Sequence, residues 1–334
     1  MKILTVIGAR PQFVKSAVFS KCCFDTGRDE VVVHTGQHYD ADMSLKIFED
    51  LGCPPPKYIF DGLSRSPQLM IGEIMRDLEE VFNSEKPDFI NIFGDTTSTL
   101  AAALYANKSG ISLLHIEAGL RSRNWDMPEE YNRLCTDILS DYLFCPTESA
   151  FKNIQSENLK GDAFNVGDVM LDAIRVFDSS FRYDGPYSDS DPIVLTLHRS
   201  ETLKRRERLA ELLDYVFEEA KGRQILFPIH PNTKKHCVKY EIDLSRFEVI
   251  DPLSYIKMQG LLKLCHSVYT DSGGMQKEAF FHRKPCITLR NETEWGELID
   301  LGWNRLWKEK YLTKVDDNPY GDGFACNKIL DILD

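Results

Sequence analysis

Short β-branched runs alternate with helical patterns along most of the chain, and this alternation is the feature that most constrains its fold. It is typical of βαβ units, because two parallel strands can be joined only by a long crossover, usually a helix. In the first half it predicts strands at Ile3–Ile7, Glu30–His34, Phe89–Phe93, Ser112–Ile116 and Tyr142–Cys145. It predicts helices between them at Phe13–Cys23, Gln68–Asn83 and Thr97–Asn107.

A second series of the same kind follows residues 178–190, a polar, turn-rich segment that we interpret as a linker. Its predicted strands are Ile193–Leu197, Ile225–Ile229, Phe247–Ile250, Val268–Thr270 and Cys286–Leu289. The length of 334 residues also favours two domains. We therefore predict an α/β protein with two Rossmann-like, doubly wound domains, residues 1–170 and 171–319. Ligands of such sheets bind beyond the carboxyl ends of the strands, here in a cleft that the two domains would enclose.

The charge balance limits the possible partners. The chain has 40 Lys and Arg against 52 Asp and Glu, a net charge of −12. Nucleic acid and anionic membranes need a broad basic face, so neither is predicted as a partner. The nine cysteines are scattered without metal-ligand spacing, which indicates reduced thiols. With no signal-peptide pattern and no apolar run long enough to span a bilayer, the predicted location is the cytoplasm.

Carboxylates follow two of the predicted strands and open one helix. Asp95 follows the strand that ends at Phe93, Glu117 follows the next strand, and Glu129 and Glu130 come directly after a proline. Taken singly, Asp95 could be a helix N-cap and the glutamates could complement a helix dipole. Together, Asp95, Glu117 and one glutamate of the pair could converge. Crowded carboxylates raise one another's pKa, which provides an acid and a base at one site.

The remaining candidates suit a phosphate ligand. His198 and His230 each stand just past a strand; one such histidine is more often structural, but two at equivalent positions favour a role in binding. Ser272, Gly273 and Gly274 form a strand–turn–helix connection whose backbone N–H groups can hold a diphosphate, although a plain Gly-rich connection is the alternative. Further candidates are Arg10 and Lys15 at the first helix, Glu278 for ribose hydroxyls, and Arg290. The Arg10 segment is neither GxGxxG nor a Walker loop, so it does not support NAD binding or ATP hydrolysis.

Read in order, these segments resemble the non-hydrolysing UDP-N-acetylglucosamine 2-epimerase family. The matching motifs are GARPQFVK, TGQHYD, FGDTTST, HIEAGLRS, PEEYNR, LHRSE, HPN and TDSGGMQKEA. The resemblance implies the two-domain arrangement of GT-B glycosyltransferases, with a last helix at about 320–334 packing back on the first domain. It also implies a homodimer, a role in polysaccharide biosynthesis, and an isomerase that needs neither metal nor nicotinamide.

The implied reaction interconverts UDP-GlcNAc and UDP-ManNAc. The proton at C2 is removed and UDP leaves from C1, which gives bound 2-acetamidoglucal; UDP then re-adds while C2 is reprotonated on the other face. The residues that match the catalytic positions of the family are Asp95, Glu117, Glu129 and His198. Those that match contacts to the nucleotide diphosphate are Arg10, Lys15, Ser272, Gly274 and Glu278.

Two departures from the family pattern bear on the substrate. Trp295 stands where many members have an arginine, and Gln37–Asp40 lacks the residues with which bacterial members bind UDP-GlcNAc as an activator. We therefore expect no activation by UDP-GlcNAc. The opening motif and the segment around Trp295 are more similar to relatives that act on UDP-2,3-diacetamido-2,3-dideoxyglucuronate. Rival functions are a GT-B glycosyltransferase, a hydrolysing epimerase that releases ManNAc, and a sugar-nucleotide sensor without turnover.

Overall fold

In a computed structural model the chain forms two compact units. Unit 1 contains residues 1–178 and 318–334, and unit 2 contains residues 179–317. The structure describes residues 1–37, 41–64 and 66–334, without the side chains of residues 41–45. His38, Tyr39 and Asp40, on which the expected lack of an activator site partly depends, lie outside the described residues.

Unit 1 is built on a parallel sheet with the strand order β3-β2-β1-β4-β5-β6-β7. Its strands are β1 Lys2–Ile7, β2 Asp29–His34, β3 Tyr58–Ile59, β4 Phe89–Phe93, β5 Ser112–Ile116, β6 Tyr142–Cys145 and β7 Asp162–Asn165. Its helices up to the linker are α1 Arg10–Asp25, α2 Ala41–Asp50, α3 Pro67–Glu85, α4 Thr97–Ser109, α5 Pro128–Leu139, α6 Glu148–Glu157 and α7 Val169–Phe177. The strand order reverses between β1 and β4, which is the switch point of a doubly wound sheet.

Unit 2 repeats this topology with the order β10-β9-β8-β11-β12-β13, again parallel. Its strands are β8 Ile193–Thr196, β9 Ile225–Pro228, β10 Glu248–Ile250, β11 Ser267–Thr270, β12 Cys286–Thr288 and β13 Asn304–Leu306. Its helices are α8 Ser200–Leu203, α9 Arg206–Glu219, α10 Pro231–Lys239, α11 Tyr255–Leu264, α12 Gly273–Phe281 and α13 Gly296–Asp300. Here the switch point lies between β8 and β11.

Apolar residues on both faces of the central strands explain why helices cover both sides of each sheet. In β8, Ile193 and Leu195 pack in one core with residues of α9, whereas Val194 points to the other face and packs with residues of α11 and α12. In unit 1, Leu4 and Val6 pack against α3 and α4. Strands buried on both faces are expected in parallel sheets, because helices cover both sides.

The polypeptide returns to unit 1 at its end. The helix α14, Ala325–Ile332, contacts α1 and α7, and its buried residues include Ile329 and Leu330. In the described part of the chain, no helix is both long and apolar enough to cross a membrane.

The predicted fold class of two Rossmann-like units is confirmed, and every predicted strand is present. The strands Tyr58–Ile59, Asp162–Asn165 and Asn304–Leu306 were not predicted. All three lie at an edge of their sheet, where a strand has one neighbour and short, partly polar sequences suffice. Thr96 is the N-cap of α4, since its side chain accepts from the Thr99 N–H at 3.2 Å.

Candidate active site

In unit 1 the candidate residues follow β1, β4 and β5 and begin α5, around the switch point. Gln12 connects the first two loops: its Oε1 accepts from the backbone of Gly8 and Ala9 at 2.8 and 3.0 Å. Its Nε2 donates to the Phe93 carbonyl at 2.7 Å. This fully buried amide fixes the start of α1 relative to the end of β4, where Asp95 stands.

Asp95 lies beside a cation from another element. Its Oδ2 accepts from Arg133 of α5, through Nη2 and through Nε at 3.1 Å. Asn132 of the same helix donates to the Asp95 carbonyl at 2.9 Å. Although 28% of the side chain stays exposed, removal from water raises the pKa of Asp95. Arg133 acts against this rise and the nearby Glu117 adds to it. Since Thr96 is the N-cap of α4, the capping alternative for Asp95 does not apply.

Glu117 stands in an unusual backbone conformation. Its φ is +72°, which is uncommon for a residue with a side chain and costs free energy. The N–H groups of Glu117 and Ala118 both donate to the Phe144 carbonyl, which holds this turn in place. The Glu117 carboxylate contacts the ammonium of Lys15, a residue of α1 that is 6% exposed. A strained, paired carboxylate at a strand end is a candidate for function rather than for stability.

The two glutamates that begin α5 differ. Glu130 is buried and accepts from the Ser122 N–H and hydroxyl, the Arg123 N–H, and Arg133 Nη1 at 3.0 Å. Burial alone would raise the pKa of Glu130, but these hydrogen bonds and the Arg133 charge outweigh it, so this pKa is lowered. Glu129 is exposed. Glu130 is therefore held by hydrogen bonds within the protein, whereas the Glu129 side chain is accessible to a ligand.

In unit 2, Asp271 organises the end of β8. This buried carboxylate accepts from the backbone N–H groups of His198 and Arg199 at 3.0–3.1 Å. It also lies 3.4 Å from His198 Nδ1. The exposed rings of His198 and His230 are 6.2 Å apart, so the structure brings these two predicted residues together.

The amino terminus of α12 is the candidate diphosphate site. Ser272 is the N-cap, and its hydroxyl accepts from the Met275 N–H at 3.4 Å. Gly273 and Gly274 begin the helix, so their N–H groups have no acceptor within it and point where an anion is stabilised by the helix dipole. A Cβ on Gly273 would lie 2.2 Å from Glu294 Oε1, so any larger residue here would displace the Glu294 carboxylate.

Glu294 forms ion pairs with two arginines near this helix terminus. It pairs with Arg290 at 2.7 Å and with Arg199 at 3.5 Å. Burial would raise the pKa of Glu294, but the Arg290 charge, hydrogen bonds and the smaller effect of the Arg199 charge outweigh it, so this pKa is lowered. Trp295 is 6% exposed and lies under Lys277, whose ammonium is 4.2 Å from the ring centroid.

Two further predicted residues lie on α1 and α12. Arg10 is exposed as the first residue of α1, and Glu278 is half-buried in the second turn of α12. Within the described residues, no group of three or more His, Cys, Asp or Glu side chains is arranged to hold a metal ion.

Two Rossmann-like units, one with paired carboxylates and cations at its switch point and one with a helix terminus suited to an anion, are typical of proteins that bind nucleotides. The chain belongs to the UDP-N-acetylglucosamine 2-epimerase family, whose model matches residues 24–334, and it is an isomerase of that family.

Similar proteins cover the whole chain. The UDP-2,3-diacetamido-2,3-dideoxy-D-glucuronate 2-epimerase of Pseudomonas aeruginosa is 44% identical, over 100% of this chain and 99% of the relative. A UDP-N-acetylglucosamine 2-epimerase homolog of Methanococcus maripaludis is 39% identical over the same shares. The crystal structure of Methanocaldococcus jannaschii UDP-GlcNAc 2-epimerase with UDP-GlcNAc and UDP has a TM-score of 0.84 at 34% identity, and covers 100% and 99% of the two chains.

Gln12, Arg133 and Asp271 were not among the residues predicted from the sequence. Each lies inside a motif that was recognised, but its partner is distant in sequence: Phe93 for Gln12, Asp95 for Arg133, and His198 for Asp271. The sequence did offer a signal for Arg133. It stands four residues after Glu129 on a predicted helix, and residues i and i+4 lie on the same helix face.

Proposed function

We propose that the chain catalyses the reversible epimerisation of UDP-GlcNAc to UDP-ManNAc. The observation that carries this proposal is the pair Asp95 and Glu117, two carboxylates at the ends of neighbouring strands in different environments. Asp95 is paired with Arg133 and has a pKa raised by burial, whereas Glu117 contacts Lys15, so the two carboxyl groups have different surroundings. Inversion at C2 needs an acid and a base of this kind.

The proposed reaction is an elimination followed by an addition. A carboxylate takes the C2 proton, the C1–O bond breaks and UDP leaves with the bonding electrons, and 2-acetamidoglucal remains. UDP then attacks C1 while a carboxylic acid delivers a proton to the opposite face of C2. Asp95, Glu117 and the accessible Glu129 are the proposed proton carriers.

The leaving UDP is stabilised by positive charge and N–H groups. We assign this task to the α12 terminus with Ser272, Gly273 and Gly274, and to His198, His230 and Arg290 of the same unit. Arg10 and Lys15 are assigned to the diphosphate on the basis of their motif, and Glu278 to the ribose. Preorganised donors of this kind stabilise charge as it develops in the transition state.

A second candidate substrate is UDP-2,3-diacetamido-2,3-dideoxyglucuronate. The relative that acts on this compound is 44% identical to the chain along its whole length. The same carboxylates would invert C2, since the two sugars share the 2-acetamido group and the diphosphate.

The test is an NMR experiment in D2O with UDP-GlcNAc and the diacetamido uronate in separate tubes, without metal or NAD. The 2-epimer with deuterium at C2 is the expected product. Free sugar plus UDP would identify a hydrolase, and no exchange with either compound would overturn the proposal. The variants D95N and E117Q should abolish exchange, whereas E80Q, a matched change on the exposed face of α3, should keep it.

We also propose that the enzyme is a cytoplasmic homodimer that serves polysaccharide biosynthesis and uses no metal or nicotinamide. These features follow the family resemblance. Light scattering after gel filtration tests the dimer, and turnover after dialysis against EDTA tests the metal.

A further inference from the structure

A buried pair of side chains lies behind the unit 1 carboxylates. His115 of β5 is fully buried, and its two ring nitrogens lie 2.7 Å from Asp137 Oδ1 and 2.8 Å from the Gly94 carbonyl oxygen. A carbonyl oxygen can only accept, so Nε2 of His115 carries a hydrogen atom and donates it to Gly94. Gly94 O belongs to the peptide that leads directly into Asp95.

Asp137 extends this contact to a third segment. Its Oδ2 accepts from the Gly119 N–H at 3.2 Å and from Arg121 Nη1 at 2.7 Å. Arg121 in turn makes a two-point contact with Glu157. One carboxylate of α5 therefore holds both the turn after β5, which carries Glu117, and the imidazole that binds the peptide before Asp95.

We propose that His115 and Asp137 are positioning residues for catalysis: together they set the backbone on which Asp95 and Glu117 stand. The effect on turnover rests on the proposed function, but the effect on the position of Asp95 does not. Neither side chain reaches the substrate, because both are completely buried.

The location of the pair argues against a purely stabilising role. A buried polar pair loses its hydration, and apolar residues of similar volume often stabilise a core equally well. This pair bridges the three segments that carry Asp95, Glu117 and Glu129, where small displacements matter. A misplacement of about 1 Å in an active site can cost about 100-fold in rate.

The variant His115→Leu fills the same space without a donor, and His115→Gln keeps an N–H that can reach the Gly94 oxygen. We expect H115L to lower kcat by about 100-fold with KM for the UDP-sugar within about twofold. The kcat of H115Q should be about tenfold higher than that of H115L. A purely structural residue would change the melting temperature in both variants and leave kcat per folded molecule unchanged.

The matched control is Asn91→Leu, which removes a buried amide of β4 that donates to Thr5 Oγ1 at 3.2 Å, away from the carboxylates. It should keep kcat. Crystal structures supply a second measurement: in H115L the Gly94 carbonyl and the Asp95 carboxylate should move relative to Arg133, and in H115Q they should not.

An unchanged kcat in H115L, or an unchanged Asp95 position, would overturn this inference. If the wild-type enzyme turns over neither UDP-sugar, the proposed function fails, and the structures of the two variants still decide whether His115 positions Asp95.

Discussion

Asp95 and Glu117 are neighbours in the folded chain, yet each is held differently. Asp95 is bound by Arg133 from α5, and Glu117 by Lys15 from α1 and by a turn with positive φ. At Asp95 the Arg133 charge favours ionisation, but burial outweighs it and the pKa of this carboxyl group is raised. The two carboxylates therefore stand in different surroundings, which is how acid–base sites give similar groups different roles.

The glutamate pair gives a test at single-residue resolution. Glu129→Gln should fold like the wild type, within about 0.5 kcal/mol, because the side chain is exposed, but should lower kcat by about 100-fold or more. Glu130→Gln should lower the free energy of unfolding by about 2–3 kcal/mol, because it places an amide against buried donors. Denaturant unfolding measures the stability of the two variants, and turnover assays measure their kcat. Equal stability of the two variants would contradict this division.

Gly273 gives a second test. In Gly273→Ala the new Cβ would lie 2.2 Å from Glu294 Oε1, so Glu294 and its partner Arg290 must move. We expect the Kd for UDP, measured by calorimetry, to rise about tenfold, which corresponds to 1.4 kcal/mol. Gly296→Ala is the matched control, since a Cβ there meets nothing within 4 Å. Equal affinities in both variants would show that this close approach is not needed.

At the level of helices and strands, the sequence determines the buried centre of each sheet better than its edges. Phe89–Phe93, Ser112–Ile116 and Tyr142–Cys145 were predicted with their observed bounds, because β-branched and aromatic residues must be buried on both faces there. Asp162–Asn165 is an edge strand of partly exposed residues, so its pairing depends on the neighbour β6 rather than on its own composition.

The same distinction applies to the candidate site. Residues at strand ends could be proposed because the topology of parallel sheets places them at one edge. The residues that hold them could not. His115 is an ordinary buried position by sequence, and only the approach of α5 to β5 brings Asp137 within 2.7 Å.

The neighbouring strands β1 and β2 carry a buried carboxyl group that makes stability depend on pH. Burial raises the pKa of Glu30 from 4.5 to about 7, although the hydrogen bond from Thr5 opposes the rise. The folded protein therefore holds a proton that the unfolded chain releases between these two values. Stability should fall as pH rises from 4.5 to about 7 and should change no further through this group above that window.

Glu30→Gln removes this titration. The variant should melt at a higher temperature than the wild type at pH 8, where the wild-type carboxyl group is ionised in the core, and close to it at pH 5. Thermal unfolding at the two pH values is the measurement. A constant difference between variant and wild type at both values would show that ionisation of Glu30 is not the cause.

At the scale of the whole molecule, unit 1 contains both the first and the last residues of the sequence. The chain leaves this unit after Asp178 and returns at Asn318, so residues 318–334 are part of unit 1. Asp172 of α7 receives the returning helix: its carboxylate accepts from the Ala325 and Cys326 N–H groups at 3.0 and 2.7 Å. These are first-turn N–H groups of α14, which have no acceptor within the helix.

Asp172→Ala should therefore release α14 from unit 1. Two buried N–H groups lose their acceptor, and we expect a loss of about 2–3 kcal/mol in the free energy of unfolding. Amide hydrogen exchange of Ala325–Ile332 should accelerate before the central strands are affected, because local opening needs less free energy than global unfolding. Lys328→Ala, which removes only the exposed pair with Asp322, should stay within about 0.5 kcal/mol of the wild type. Unchanged exchange of α14 in D172A would mean that apolar packing of Ile329 and Leu330 alone retains the helix.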